Sequence, residues 1–195
     1  MLCQFSFWNY KSYRDEATLD LCPAKISEHE EHLIEEPITK EKFLPLAVIY
    51  GPNGGGKTAV LDAFQYLRRK IIRKDEASEP SGELDTKIVI PGKKVHHDKA
   101  ISFAFDPEYA KRPTGWSVSF ITDGYEYKYT LALLAERIVE ESLFAKDLKT
   151  GDVQMLFERG EMGESIVLGN ALAGIQVDKV KDSTSLLSFI EAVYE

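Results

Sequence analysis

An α/β domain is what this 195-residue sequence predicts. Three observations carry the prediction. A compact apolar run, "PLAVIY" (45–50), leads into a glycine-rich turn, and an amphipathic helix with a single apolar stripe follows it. After residue 100 the hydrophobic period shortens to two, the mark of half-buried strands. At the start, "CQFSFWNY" (3–10) alternates in the same way, and "ATLDLCP" (17–23) suits its hairpin partner.

Taken in order, the first hairpin is followed by "KISEHEEHLIEEPITKEKF" (25–43), a polar and acidic loop or insertion with room for a short helix. The run 45–50 is uninterrupted by polar residues, so it is expected as a buried central strand. Residues 57–74 form the best helix in the chain. Val60, Leu61, Phe64, Leu67 and Ile71 recur at spacings of three and four, which predicts one core-facing stripe. A charged loop with Pro and Gly, 74–86, ends it. Strands are expected at 87–90, 100–105, 116–122, 125–134, 153–159 and 164–169, with turns at "TDGYE" and "KTGD". Residues 136–148 suit either strand or helix. A last helix, 183–195, has Ser183 as a candidate cap and runs to the chain end without a stop signal, which is read as truncation.

Gly51-Pro52-Asn53-Gly54-Gly55-Gly56-Lys57-Thr58 fits the Walker A pattern G-x-x-x-x-G-K-[ST]. Glycines let backbone N–H groups close on phosphate oxygens. The helix beginning at Lys57 turns its positive end to the same place. Asn53, Gly54, Gly55, Gly56, Lys57, Thr58 and Ala59 are therefore the candidate phosphate ligands. Lys57 serves as a point charge for the β- and γ-phosphates, and the Thr58 hydroxyl as a Mg²⁺ ligand. The expected cofactors are ATP and Mg²⁺. The fold becomes a P-loop lobe: a mixed central sheet, the P-loop helix and an antiparallel β-subdomain, as one nucleotide-binding domain over 1–195.

Composition bounds the rest. Hydrophobic residues at 44% and charged residues at 29% describe a soluble globular protein with a sizeable core. The net charge of −8 does not favour nucleic acid, though a basic patch on an acidic body leaves DNA open. Cys3 and Cys22 form no disulfide framework, and the N-terminus lacks the pattern of a signal peptide. No apolar stretch of about 18 residues occurs. A cytoplasmic protein without a membrane span is expected.

The loop "GPNGGGKT" resembles that of ATP-binding-cassette ATPases, and "FWNYKSYRD" (7–15) is similar to the "NFKSF" opening strand of their SMC/RecF-like branch. Residues 44–64 and 141–168 look more specifically like the ATP-binding proteins of prokaryotic abortive-infection and anti-phage systems. The resemblance implies the N-terminal lobe of an ATPase head in phage defence or DNA maintenance. It also implies ATP-driven pairing with a second head, as a homodimer or with a partner subunit. Lys11, Ser12 and Arg14 would then lie near the nucleotide.

Hydrolysis in that family needs an apolar strand ending in Asp-Glu, an "LSxG" helix and a switch His. Asp106 and Glu108 in "AISFAFDPE" come too soon after the loop and read as a meander strand, and "SLLSFIEA" lacks the glycine. Gln154 and Gln176 are the candidate glutamines for a Q-loop. No catalytic residue is assigned, and the chain alone is expected to bind ATP without cleaving it. A small P-loop kinase or phosphotransferase and a nucleotide-responsive interaction module remain the alternatives.

Other groups have plainer readings. His29 with His32, and His96 with His97, lack a Cys pair to complete a zinc set and read as solvated loop. Arg68, Arg69, Lys70, Arg73 and Lys74 complement a helix C-terminus more readily than they mark a DNA-contacting patch. Tyr125, Tyr127 and Tyr129 share a strand face and suit cross-strand packing better than base stacking. The acidic run Glu28, Glu30, Glu31, Glu35 and Glu36 reads as a solvated surface.

Overall fold

A computed structural model describes residues 1–25, 28–72, 101–178 and 180–194. The expectations for 74–86, 87–90, Arg73, Lys74, His96 and His97 fall outside these residues.

Seven strands form one sheet in the order β2-β1-β5-β6-β7-β8-β9. They are β1 (Leu2–Trp8), β2 (Ala17–Asp20), β5 (Thr114–Thr122), β6 (Tyr125–Leu134), β7 (Arg137–Asp147), β8 (Val153–Gly160) and β9 (Ser165–Leu168). Every neighbouring pair is antiparallel. A small hairpin of β3 (Ile34–Glu35) and β4 (Lys42–Phe43) stands apart, within the expected insertion 25–43. The helices are α1 (Lys57–Ile71) and α2 (Leu186–Tyr194). This is the α/β class the sequence predicts, with a P-loop helix on a sheet whose described pairs are all antiparallel.

Register makes the sheet two-faced. Directly paired residues share a face, so Phe7, Trp116, Leu131, Glu141 and Arg159 form one row. Phe5, Val118, Tyr129, Leu143 and Phe157 form the next row on that side. The row between them is Ser6, Ser117, Thr130 and Ser142, which points the other way. There the Ser6 and Thr18 hydroxyls bond at 2.8 Å. The apolar face takes both helices: Ala63, Tyr66 and Leu67 of α1 and Leu186 of α2 are buried with Phe5, Phe7, Trp116 and Leu131. The Tyr66 ring stacks on Trp116 with centroids 4.8 Å apart, a pair worth about 0.5–1.5 kcal/mol beyond its area.

Several elements fall elsewhere than expected. The run 45–50 is not a buried strand: it pairs with nothing among the described residues, and Leu46, Val48 and Tyr50 are 73%, 74% and 90% exposed. The stripe of α1 is also rotated. Ala59, Ala63, Tyr66 and Leu67 are buried, while Leu61 and Phe64 are exposed. The small residues admit the helix close to the sheet, and aromatic Tyr66 reaches Trp116; Phe64 still meets Phe5 edge-on at 5.0 Å. Residues 101–105 form no strand, whereas 137–147 do.

The cap of α2 is Ser185 rather than Ser183, with its Oγ accepting from the Ser188 N–H at 3.3 Å. A stronger anchor comes from β7. The Glu141 carboxylate, fully buried, accepts the Leu186 N–H with both oxygens at 2.9 Å and the Tyr129 hydroxyl at 2.8 Å. Burial pushes its pKa up, against the pull of these donors and of its cross-strand neighbour Arg159. Glu36 likewise departs from the solvated reading. It is buried, and its carboxylate accepts the Ile38 N–H at 2.7 Å to close a turn. Cys3 and Cys22 are both free, and burial lifts the Cys3 thiol to about 11, so it is an unreactive core residue. No described helix is long and apolar enough to cross a membrane.

Removing Glu141 takes the acceptor from the buried Leu186 N–H and from the buried Tyr129 hydroxyl. Glu141→Ala should therefore cost about 2–3 kcal/mol in urea unfolding, whereas Glu158→Ala on the solvent-facing row should change stability little. An unaltered midpoint for Glu141→Ala would remove this carboxylate from its anchoring role.

Candidate nucleotide-binding site

The glycine loop ends where α1 begins. Gly56 is the residue before the helix, at φ 83°, a left-handed conformation that costs glycine nothing. A Cβ there would also lie 2.9 Å from Ser12 Oγ and 3.0 Å from the Tyr13 ring. Glycine is thus required twice, by backbone and by neighbours. The N–H groups of Asn53, Gly54, Gly56, Lys57 and Thr58 have no acceptor among the described residues. Free donors gathered at a helix N-terminus are what a phosphate needs. Lys57 arches back over the loop, its Nζ donating to the Gly51 and Pro52 carbonyls, both at 2.8 Å. Thr58 is exposed beside it, and Ala59 is buried against the fold.

What holds this loop in place is the turn after β1. Asn9 sits at φ 49°, in the left-handed region that Asn tolerates better than most residues. Its buried carboxamide donates to the carbonyls of Tyr109 and Arg112 at 2.9 Å and of Pro113 at 3.2 Å. Its Oδ1 accepts the Phe103 N–H at 2.9 Å. The Thr114 hydroxyl donates to the Asn9 carbonyl, also at 2.9 Å. Lys11, at φ 51°, pairs through its backbone with Ile101 and Ala104, and its ammonium bonds Asp62 on α1.

Of the residues expected near the nucleotide, Ser12 touches the P-loop and Lys11 reaches the P-loop helix. Arg14 turns to Asp15 instead, at 2.9 Å, and lines a neighbouring concavity of about 570 Å³ with Trp8, Tyr109 and Arg112. Gly115 makes room there, because a Cβ would lie 2.0 Å from the Trp8 indole. Asp106 and Glu108 are used locally. Asp106 accepts the Glu108 N–H at 3.0 Å to cap a 3₁₀ turn, and Glu108 pairs with Lys111 at 2.8 Å. Gln154 and Gln176 are exposed on β8 and in the loop after β9.

A family model described as "AAA domain, putative AbiEii toxin, Type IV TA system" matches residues 46–171, well over half of the chain. The chain belongs to this family. Among curated proteins, none matches it. The match opens just ahead of the glycine loop and closes after β9, so this AAA domain includes the P-loop, α1 and most of the sheet. AAA P-loop domains bind nucleotide, usually with Mg²⁺.

Asn9 and Tyr13 stand out in the sequence only as members of "FWNYKSYRD", and Asp62 does not stand out at all. An Asn following an alternating strand, ahead of a Lys-Ser-Tyr turn, carried a usable signal, since Asn favours such turns. The pairing of Lys11 with Asp62, 51 positions apart, left none. Asn9→Ala should orphan the Phe103 N–H and loosen 101–113. Expected are a loss of about 2–3 kcal/mol and faster amide exchange in that segment. Unchanged exchange there would show that the carboxamide does not hold it.

Proposed function

We propose that this AAA domain binds Mg-ATP through its Walker A loop as the N-terminal lobe of an SMC/RecF-like ATPase head, and that hydrolysis waits on a second lobe. The observation that carries the proposal is the pairing of two facts. The loop presents five N–H groups without acceptors among the described residues, together with Lys57 and Thr58. The strand-like run before it lies uncovered. In P-loop proteins the strand before the loop is normally a central member of the sheet, covered on both faces. Here Leu46, Val48, Ile49 and Tyr50 are exposed, and the backbone of 45–50 makes no hydrogen bond among the described residues. A further lobe that supplies neighbouring strands would cover them and bring the missing carboxylates.

In this reading Asn53, Gly54, Gly56, Lys57 and Thr58 receive the phosphates, Gly55 and Ala59 join them only by releasing the Pro52 and Gly56 carbonyls, and Thr58 takes the Mg²⁺. The Lys57 ammonium exchanges its two carbonyl acceptors for phosphate oxygens. Lys11 and Ser12 border the nucleotide; Arg14 joins them only by giving up Asp15. The carboxylates at 106 and 108 are committed elsewhere, which supports negligible turnover. The antiparallel sheet speaks against a small kinase, whose strands alternate with helices in parallel. The family description, with its "putative AbiEii toxin, Type IV TA system", and the SMC/RecF resemblance support a role in phage defence or DNA maintenance; pairing with a second head rests on the resemblance alone, and a cytoplasmic site on the sequence pattern. DNA is a lesser partner for a chain of charge −8.

Calorimetry with ATP and Mg²⁺ should give saturable binding that weakens at least about tenfold in Lys57→Ala, a loss of about 1.4 kcal/mol or more, and weakens again with EDTA. Phosphate release should match that of the Lys57→Ala protein. Light scattering should show no ATP-driven dimer. Turnover well above the Lys57→Ala control would overturn the two-lobe reading, and binding indifferent to Lys57 would overturn the site.

A further inference from the structure

The segment ahead of the β3–β4 hairpin brings three metal-ligating side chains onto one short turn. His29, at φ 61°, precedes the 3₁₀ turn Glu30–His32, which the His32 N–H closes on the His29 carbonyl at 3.1 Å. This left-handed start swings the two imidazoles to the same side, where they stack with centroids 6.0 Å apart and planes 24° apart. Glu31 reaches between them. One of its carboxylate oxygens lies 3.7 Å from His29 Nδ1 and 3.5 Å from His32 Nε2. All three ligand atoms lie within 4.8 Å of one another. Glu30 is held away by an ion pair with Lys42 on β4, so the trio is two imidazoles and one carboxylate.

Those separations match a metal's needs. At bond lengths of 2.0–2.2 Å, the ligand atoms of a tetrahedral zinc ion stand about 3.3–3.6 Å apart. Two of the three distances are already close to that, and the third closes by rotation of exposed rings. The sequence supplied a His pair without a third ligand; the turn supplies it.

We propose that His29, Glu31 and His32 bind a zinc-class divalent transition-metal ion, with one position left open to water. Imidazole nitrogens select zinc, cobalt, nickel or copper over magnesium and calcium. The site is therefore chemically separate from the oxygen-ligated Mg²⁺ expected at Thr58.

The test uses the metal-free full chain without nucleotide. Zn²⁺ is titrated by calorimetry, and Co²⁺ is followed by its visible absorption. The wild-type chain should bind one more equivalent than His29→Ala or His32→Ala, or bind it at least about tenfold more tightly. Glu31→Gln should weaken it, the paired change His96→Ala/His97→Ala should leave it intact, and excess Mg²⁺ should not displace it. All three side chains are exposed, so circular dichroism should report unchanged folding in each variant. The proposal falls if the wild-type chain takes up no Zn²⁺, if binding survives in His32→Ala unaltered, or if it disappears only with His96 and His97.

Discussion

The carboxamide of Asn9 is the contact on which the placement of the phosphate loop depends. β1 would otherwise run on past Trp8. Instead the chain turns at a left-handed Asn9, and that side chain gathers four backbone groups from 103 to 113. A buried amide that satisfies both its donor and its acceptor capacity is worth far more than one bond, because leaving any of them unpaired costs the full desolvation. The turn then sets Lys11 against Asp62 and Ser12 and Tyr13 against Gly56. The N-terminal strand, the segment after residue 100 and the nucleotide loop are thereby fixed as one unit.

The second anchor works at the opposite end of the chain. Glu141 lies in the same row as Trp116 and Leu131, a polar group on an otherwise apolar face. It is tolerated because α2 brings an N-terminal N–H to it and Tyr129 a hydroxyl. The two helices are thus attached by different means: α1 through aromatic packing on Trp116, α2 through a carboxylate at its N-terminus, where the helix dipole favours negative charge.

Much of the fold was legible from local pattern. Period-two alternation located β1, β2, β5, β6, β8 and β9, and the Asp123-Gly124 turn joins β5 to β6 as expected, since alternation and turn chemistry act within a few residues. The Walker A residues were equally plain. The rest turned on contacts distant in sequence. The apolar run 45–50 looked like a buried strand because its composition records what should cover it, and nothing described does. The stripe of α1 was misjudged because Ala59 and Ala63, weak by hydrophobicity, are the positions that fit against the sheet. Glu36, Asn9 and Glu141 are polar residues turned inward, and each is paid for by partners that no local pattern names.

Amide hydrogen exchange of the intact chain with and without Mg-ATP tests most directly whether the loop and the Asn9 turn form one nucleotide-binding unit. The expected result is slowed exchange at 53–59 together with slowed exchange at 10–13, both lost in Lys57→Ala. Protection confined to other parts of the chain, or none at saturating Mg-ATP, would contradict it.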